Sequence, residues 1–234
     1  MLVDRGLPTA NLNNAAGPDR SNVSWAFTEY TSPDYWLVGD TFQNTSAQTW
    51  TINKIRLWTV GETDTAVLRG GLDGGAIGIL PGAGVISAAT YAVPDAGSPP
   101  NANYQGSSGS YITMHQVDFA VNITLAPGQI YDFFLDGSGS GDGTYVPFVH
   151  ASNAALSGSP QQGADNLMLY ANVVDGVVDP ASVGTWSPVD GGYWDKPSDV
   201  NVQVFGSVPD AGSTLLLLGS ALTGLAMLKR RFQV

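Results

Sequence analysis

Chemistry at neutral pH needs a titratable or nucleophilic side chain held beside its task, and this chain of 234 residues offers few. His115 and His150 are its only histidines and it has no cysteine. Disulfides, thiolate metal sites and Cys nucleophiles are therefore excluded. Neither the G-x-S-x-G nor the H-E-x-x-H spacing occurs, so neither of those catalytic signatures is present. His115 shares parity with the apolar positions of a long alternating run, and His150 sits in FVHASN near the end of another. Both read as hydrogen-bonded structural residues. DGSGSGDG, Asp136 to Gly143, has the glycines and aspartates of a calcium loop. It lacks the D-x-D-x-D-G order and a Glu at the required distance, and reads as a flexible hairpin tip. One structural Ca²⁺ elsewhere among the Asp-rich loops fits the composition, with ligands the sequence does not name; no other cofactor is expected. Trp186, Tyr193 and Trp194 lie in TWSPVDGGYWDKPSD. There they either present ring faces to a sugar, flanked by polar groups, or cover the edge of the fold.

The elements that would position these residues are strands. SYITMHQVDFAVNI, from Ser110, alternates with period two, its mostly apolar set being Tyr111, Thr113, His115, Val117, Phe119, Val121 and Ile123. That is the pattern of a half-buried strand. LAPGQ (125–129) follows as a Pro-Gly turn, a hairpin or a corner, and IYDFFLDG resumes strand character. Further strands are predicted at 22–30, 34–42, 49–60, 84–91, 144–151, 166–173 and 200–206. In TWTINKIRLWTV the apolar parity switches between Ile52 and Ile55, which predicts a β-bulge near Asn53 and Lys54. Trp25, Trp50 and Trp58 fall inside strand patterns as core residues, whereas Trp36 fits either side. GGLDGG (70–75), VPDAGSPPNANYQGSSG (93–109) and SNAALSGSPQQG (152–163) read as turn-rich spacers. Of the 20 acids only Glu29 and Glu62 are Glu, a bias toward turns over helices. The expectation is an all-β chain, a single antiparallel sandwich or jelly roll over residues 1–207.

Charge divides the chain at the same point. Residues 1–207 hold 19 acids and six bases, and residues 208–234 one acid and three bases. So acidic a domain is repelled by phosphate backbones, and nucleic acid is not expected as a partner. The tail, VPDAGSTLLLLGSALTGLAMLKRRFQV, has no charge from Ala211 to Leu228. As a helix that run spans about 27 Å, close to the ~30 Å hydrocarbon core. It is apolar on every face, which suits lipid better than one-sided docking on the domain. Lys229, Arg230 and Arg231 would mark the cytoplasmic end, so a transmembrane helix is expected at 212–228 with the β domain outside. VPDAGS occurs also at 93–98, where neither helix nor bases follow; that copy reads as an ordinary turn. The opening MLVDRGLPTA contains no basic leader with an apolar core. Export therefore predicts a signal peptide encoded upstream of Met1.

A polar box, a short apolar helix and terminal Arg/Lys residues in this order resemble the PEP-CTERM sorting signals processed by exosortases. The box, Val208-Pro209-Asp210-Ala211-Gly212-Ser213-Thr214, is closest to the VPDSG variant, with Ala211 where that variant has Ser. The resemblance extends weakly to the domain through VDRGLP (3–8), GDTFQNTSAQTWTINKIRLWTV (39–60) and DVNVQVFGSVPDAG (199–212). It implies an exosortase-type partner, a membrane-anchored precursor cut near the box, and delivery to the cell surface or extracellular matrix. It implies no enzymatic activity. The expected function is thus a non-enzymatic exported protein. A carbohydrate-binding module of the exopolysaccharide matrix, and a secreted glycan hydrolase or lyase, are the alternatives.

Overall fold

A computed structural model describes residues 1–7, 24–26, 28–31, 34–60, 63–88, 103–105, 111–138, 148–152, 167–186 and 199–209. In chain order the first strands are β1 (Val3–Asp4), β2 (Ser24–Ala26), β3 (Thr28–Thr31), β4 (Asp34–Gln43) and β5 (Trp50–Val60). There follow β6 (Thr65–Leu72), β7 (Gly78–Ala83), β8 (Val85–Ala88), β9 (Asn103–Gln105), β10 (Tyr111–Leu125) and β11 (Ile130–Ser138). The last are β12 (Phe148–Ser152), β13 (Met168–Val174), β14 (Val177–Val178), β15 (Gly184–Trp186), β16 (Asp199–Val200) and β17 (Val202–Ser207). All pairings are antiparallel. The expected all-β class holds.

The strands form two sheets. One has the order β1-β17-β5-β10-β8, with β2, β9, β12 and β16 attached; the other runs β14-β13-β4-β11-β6-β7, with β3 and β15 attached. Alternation decides which side chains they share. Ile55 and Leu57 of β5, Val117 and Phe119 of β10, Val202 and Val204 of β17 enter one cluster with Val38, Phe42, Leu68, Tyr131, Phe133 and Leu135 from the other sheet. Phe42 stacks on Tyr131 at 5.4 Å and lies 5.9 Å from Phe133, within the preferred range for ring pairs. The opposite parity of β4, β11 and β13 is buried too, as a second cluster containing Leu37, Phe134, Leu169, Ala171 and Val173.

The bulge lies where the parity switch placed it. Along β17 the register steps from Phe205↔Lys54 to Gly206↔Ile52, leaving Asn53 as the extra residue. Ile52 and Ile55 can then both face the core. LAPGQ is a corner and not a hairpin, because β10 and β11 belong to different sheets. Gly128 takes φ +80 there, a conformation that costs glycine nothing, and Gln129 N–H donates to the Ala126 carbonyl at 3.1 Å.

Six strands, β1, β6, β7, β9, β14 and β15, lie outside the predicted segments, and β9 interrupts the expected spacer 93–109. TAVLRGGL and GILPGA form β6 and β7, the longest of these. GGLDGG is corrected accordingly: its first three residues continue β6. A Cβ on Gly70 would meet the Tyr131 ring at 2.6 Å, so the glycine makes room for a core aromatic. Asp136 likewise belongs to β11 and not to a hairpin tip; residues 139–143 lie outside the described residues. Trp50 and Trp58 are buried as expected and Trp36 packs partly buried against the core. The side chain of Trp25 and the turn at 93–98 lie outside the described residues.

Candidate functional site

The C-terminal strand is held on both sides. β17 lies between β1 and β5, with Val3 opposite Val204 and Asp4 opposite Gln203. Leu2 N–H donates to the Val204 carbonyl at 2.8 Å and Arg5 N–H to that of Val202 at 3.0 Å. Side chains reinforce the ladder: Gln203 Nε2 donates to Asp4 Oδ1 at 3.0 Å, and Asn201 Nδ2 to the Arg5 carbonyl at 3.1 Å.

A buried ion pair fastens this strand to the other sheet. Arg5 Nη1 lies 2.5 Å from Asp40 Oδ2, both side chains fully inaccessible. Arg5 also donates to the carbonyls of Thr41 at 2.7 Å and Val200 at 3.3 Å. Asp40 accepts from the backbone N–H of Val200 and of Thr41, each at 2.6 Å. Asp199 and Asn201 are buried beside this pair in the sequence of β16 and β17. Burial pushes the Asp40 carboxyl up to about 7, with Asp199 adding to the rise while Arg5 and the two N–H donors oppose it. The three segments that carried the resemblance, VDRGLP, GDTF and DVNVQVFG, thus meet in one cluster.

Sequence reasoning missed that cluster, although Asp40 was visible. It shares parity with Val38 and Phe42, so a charge stood in the inward-facing set. Arg5 is 35 residues away and Val200 is 160, separations that no local pattern spans.

His150 is fully buried in β12, its carbonyl accepting from Asn201 N–H at 2.9 Å. His115 is half-buried in β10, between Thr59 and Ala88 in the register. The two stand on strands flanking β5. Among the described residues no three His, Cys, Asp or Glu side chains converge as a metal-binding group. Each described base meets an aspartate: Lys54 and Arg56 reach Asp118, and Arg69 reaches Asp136. Trp186 ends β15 opposite Met168; its side chain, Tyr193 and Trp194 lie outside the described residues.

β17 ends at Ser207, and Ser207, Val208 and Pro209 are exposed. The strand therefore runs into the polar box with no spacer. Residues 207–232 match the VPDSG-CTERM motif. That span contains the whole box, 208–214, and the basic end, 229–231. The motif is a sorting signal of the PEP-CTERM kind and points to an exported surface protein. No curated protein and no solved structure matches the chain. No helix among the described residues is long and apolar enough to cross a membrane. The expected transmembrane helix, 212–228, and the box from Asp210 onward lie outside the described residues.

Proposed function

We propose that this chain is a non-enzymatic exported protein whose two sheets form a β-sandwich ectodomain, displayed through its C-terminal signal. In this reading the helix 212–228 enters the bilayer and Lys229, Arg230 and Arg231 stay in the cytosol. Pro209 and Gly212 keep the helix from extending through the box. An exosortase-type enzyme cuts this exposed segment, and the sandwich passes to the cell surface or extracellular matrix.

The observation that carries the reading is the direct run of β17 into a matched sorting motif. A strand paired on both sides, with its neighbour β1 fixed by a buried ion pair, is a firm attachment point for a segment that must be presented and severed. The test is the intact mass of protein recovered from the native envelope. A mass lacking roughly residues 212–234 is expected; a mass that retains the apolar tail after delivery overturns the proposal.

A further inference from the structure

Asp132 is buried without a countercharge of the kind that Arg5 gives Asp40. It alternates in β11 with Tyr131 and Phe133, which face the main core, so its carboxylate lies on the opposite face with Phe134 and Asp136. There Asp136 takes Arg69 Nε at 2.8 Å. Asp132 is 2 % exposed, and its Oδ1 is buried with no hydrogen-bond partner among the described residues. An ionised carboxylate in such a position is strongly unfavourable unless a cation or a proton joins it.

The register brings oxygen atoms to this spot. Thr41 and Gly71 are the cross-strand neighbours of Asp132. A Cβ on Gly71 would lie 2.2 Å from the Ala76 carbonyl oxygen, so the bare backbone lets the β6–β7 turn fold over this face. Asp73 N–H donates to the Ile130 carbonyl at 3.1 Å and Gly75 N–H to that of Leu72 at 2.8 Å, while Ile77 is buried in the second cluster. Asp73 is exposed and acts on Asp132 as a second negative charge. A cleft of about 250 Å³ beside it is lined by Leu72, Asp73, Gly128, Gln129 and Ile130.

The geometry points to a calcium site in which Asp132, Asp73 and the Ala76 carbonyl supply the protein oxygens and water fills the remaining positions. Ca²⁺ accepts this mixture of carboxylate, carbonyl and water at flexible geometry, whereas Mg²⁺ demands a near-ideal octahedron and dehydrates reluctantly. Two carboxylates and an open side place the site in the ~10⁻⁴–10⁻³ M class of extracellular calcium modules. The assignment stands on the fold and does not depend on how the tail is processed.

Chelator-treated full-length chain in mild detergent, melted with and without 5 mM CaCl₂, tests it. The wild type should rise by roughly 3–6 °C, with one Ca²⁺ per chain by calorimetric titration. Asp132→Asn and Asp73→Asn should each lose most of the rise, while Asp175→Asn, an exposed acid on another turn, keeps it; MgCl₂ should give less than half the effect. No rise in the wild type, or an equal rise in Asp132→Asn, overturns the site. Because Asn keeps the shape of Asp and removes the unpaired charge, that variant should still melt cooperatively.

Discussion

Asp40 and Asp132 lie on the paired strands β4 and β11, one register position apart. Both belong to the eight-stranded sheet, both are almost fully buried, and desolvation raises both, to about 7 and about 6. Asp40 faces the core shared by the two sheets and is met by Arg5 and two backbone N–H groups. Asp132 faces the other way and meets a second acid, Asp73. The contrast teaches that burial alone does not tell what a charge is for. One carboxylate has its cation built into the chain and joins the first strand to the last; the other is left for solution to satisfy.

The sharpest way to break this contrast is to remove each partner in turn. Arg5→Met should lose about 3–5 kcal/mol in urea unfolding, because Asp40 is then buried alone. Adding Asp40→Leu should recover most of that loss, since two apolar groups of similar bulk leave nothing unpaired. A double variant as unstable as Arg5→Met would mean that the pair matters through shape and not through charge.

The pH dependence should separate the two sites next. A carboxyl whose folded pKa lies above its unfolded value of 3.8 stabilises most below 3.8 and loses that contribution as pH rises to its folded value. Unfolding free energy should therefore fall between about pH 4 and 7. Asp132→Asn should remove the part of the decline that ends near 6, and Arg5→Met should push its upper end beyond 7. In chelator at pH 8, Asp132→Asn should be more stable than wild type by about 1–2 kcal/mol, discounted for solvent screening. A destabilised Asp132→Asn would contradict an uncompensated charge.

Smaller effects sharpen the picture at its edges. Gly71→Ala should weaken the calcium response several-fold and also destabilise the calcium-free chain in urea unfolding, because the new methyl would lie 2.2 Å from the Ala76 carbonyl oxygen and the turn backbone must move. Arg56→Ala should cost less than about 1 kcal/mol by thermal melt, although Arg56 grips Asp118 with two bonds of 2.6 and 2.8 Å. That pair is partly exposed, and water takes over much of its work.

Much of the strand pattern was legible because it depends on neighbours two residues apart. Val117, Phe119 and Ile123 share parity and share the core, and Ile52 and Ile55 announced the bulge between them. The Val208–Thr214 box and the Lys229–Arg231 end were legible for another reason: their order along the chain is itself the signal. The end of β6 was hidden because Gly70 and Gly71 read as part of a spacer, whereas they are slots for a Tyr131 ring and an Ala76 carbonyl. The Arg5–Asp40 pair and the Asp73–Asp132 pair were hidden because sheet register, unlike alternation, is set by partners far away in sequence.

The missing spacer after Ser207 makes the sheet its own measuring rod. Seven residues from Val208 to Thr214 reach at most ~25 Å when fully stretched. Ser207 pairs with Thr51, Leu125 with Trp50, Tyr131 with Leu72 and Ile130 with Gln43, so the Asn44, Gly128 and Asp73 turns share that end of the sheets. In the proposed membrane-anchored precursor, the seven-residue tether would keep those turns on the membrane side of the domain, within about 25 Å of the helix start.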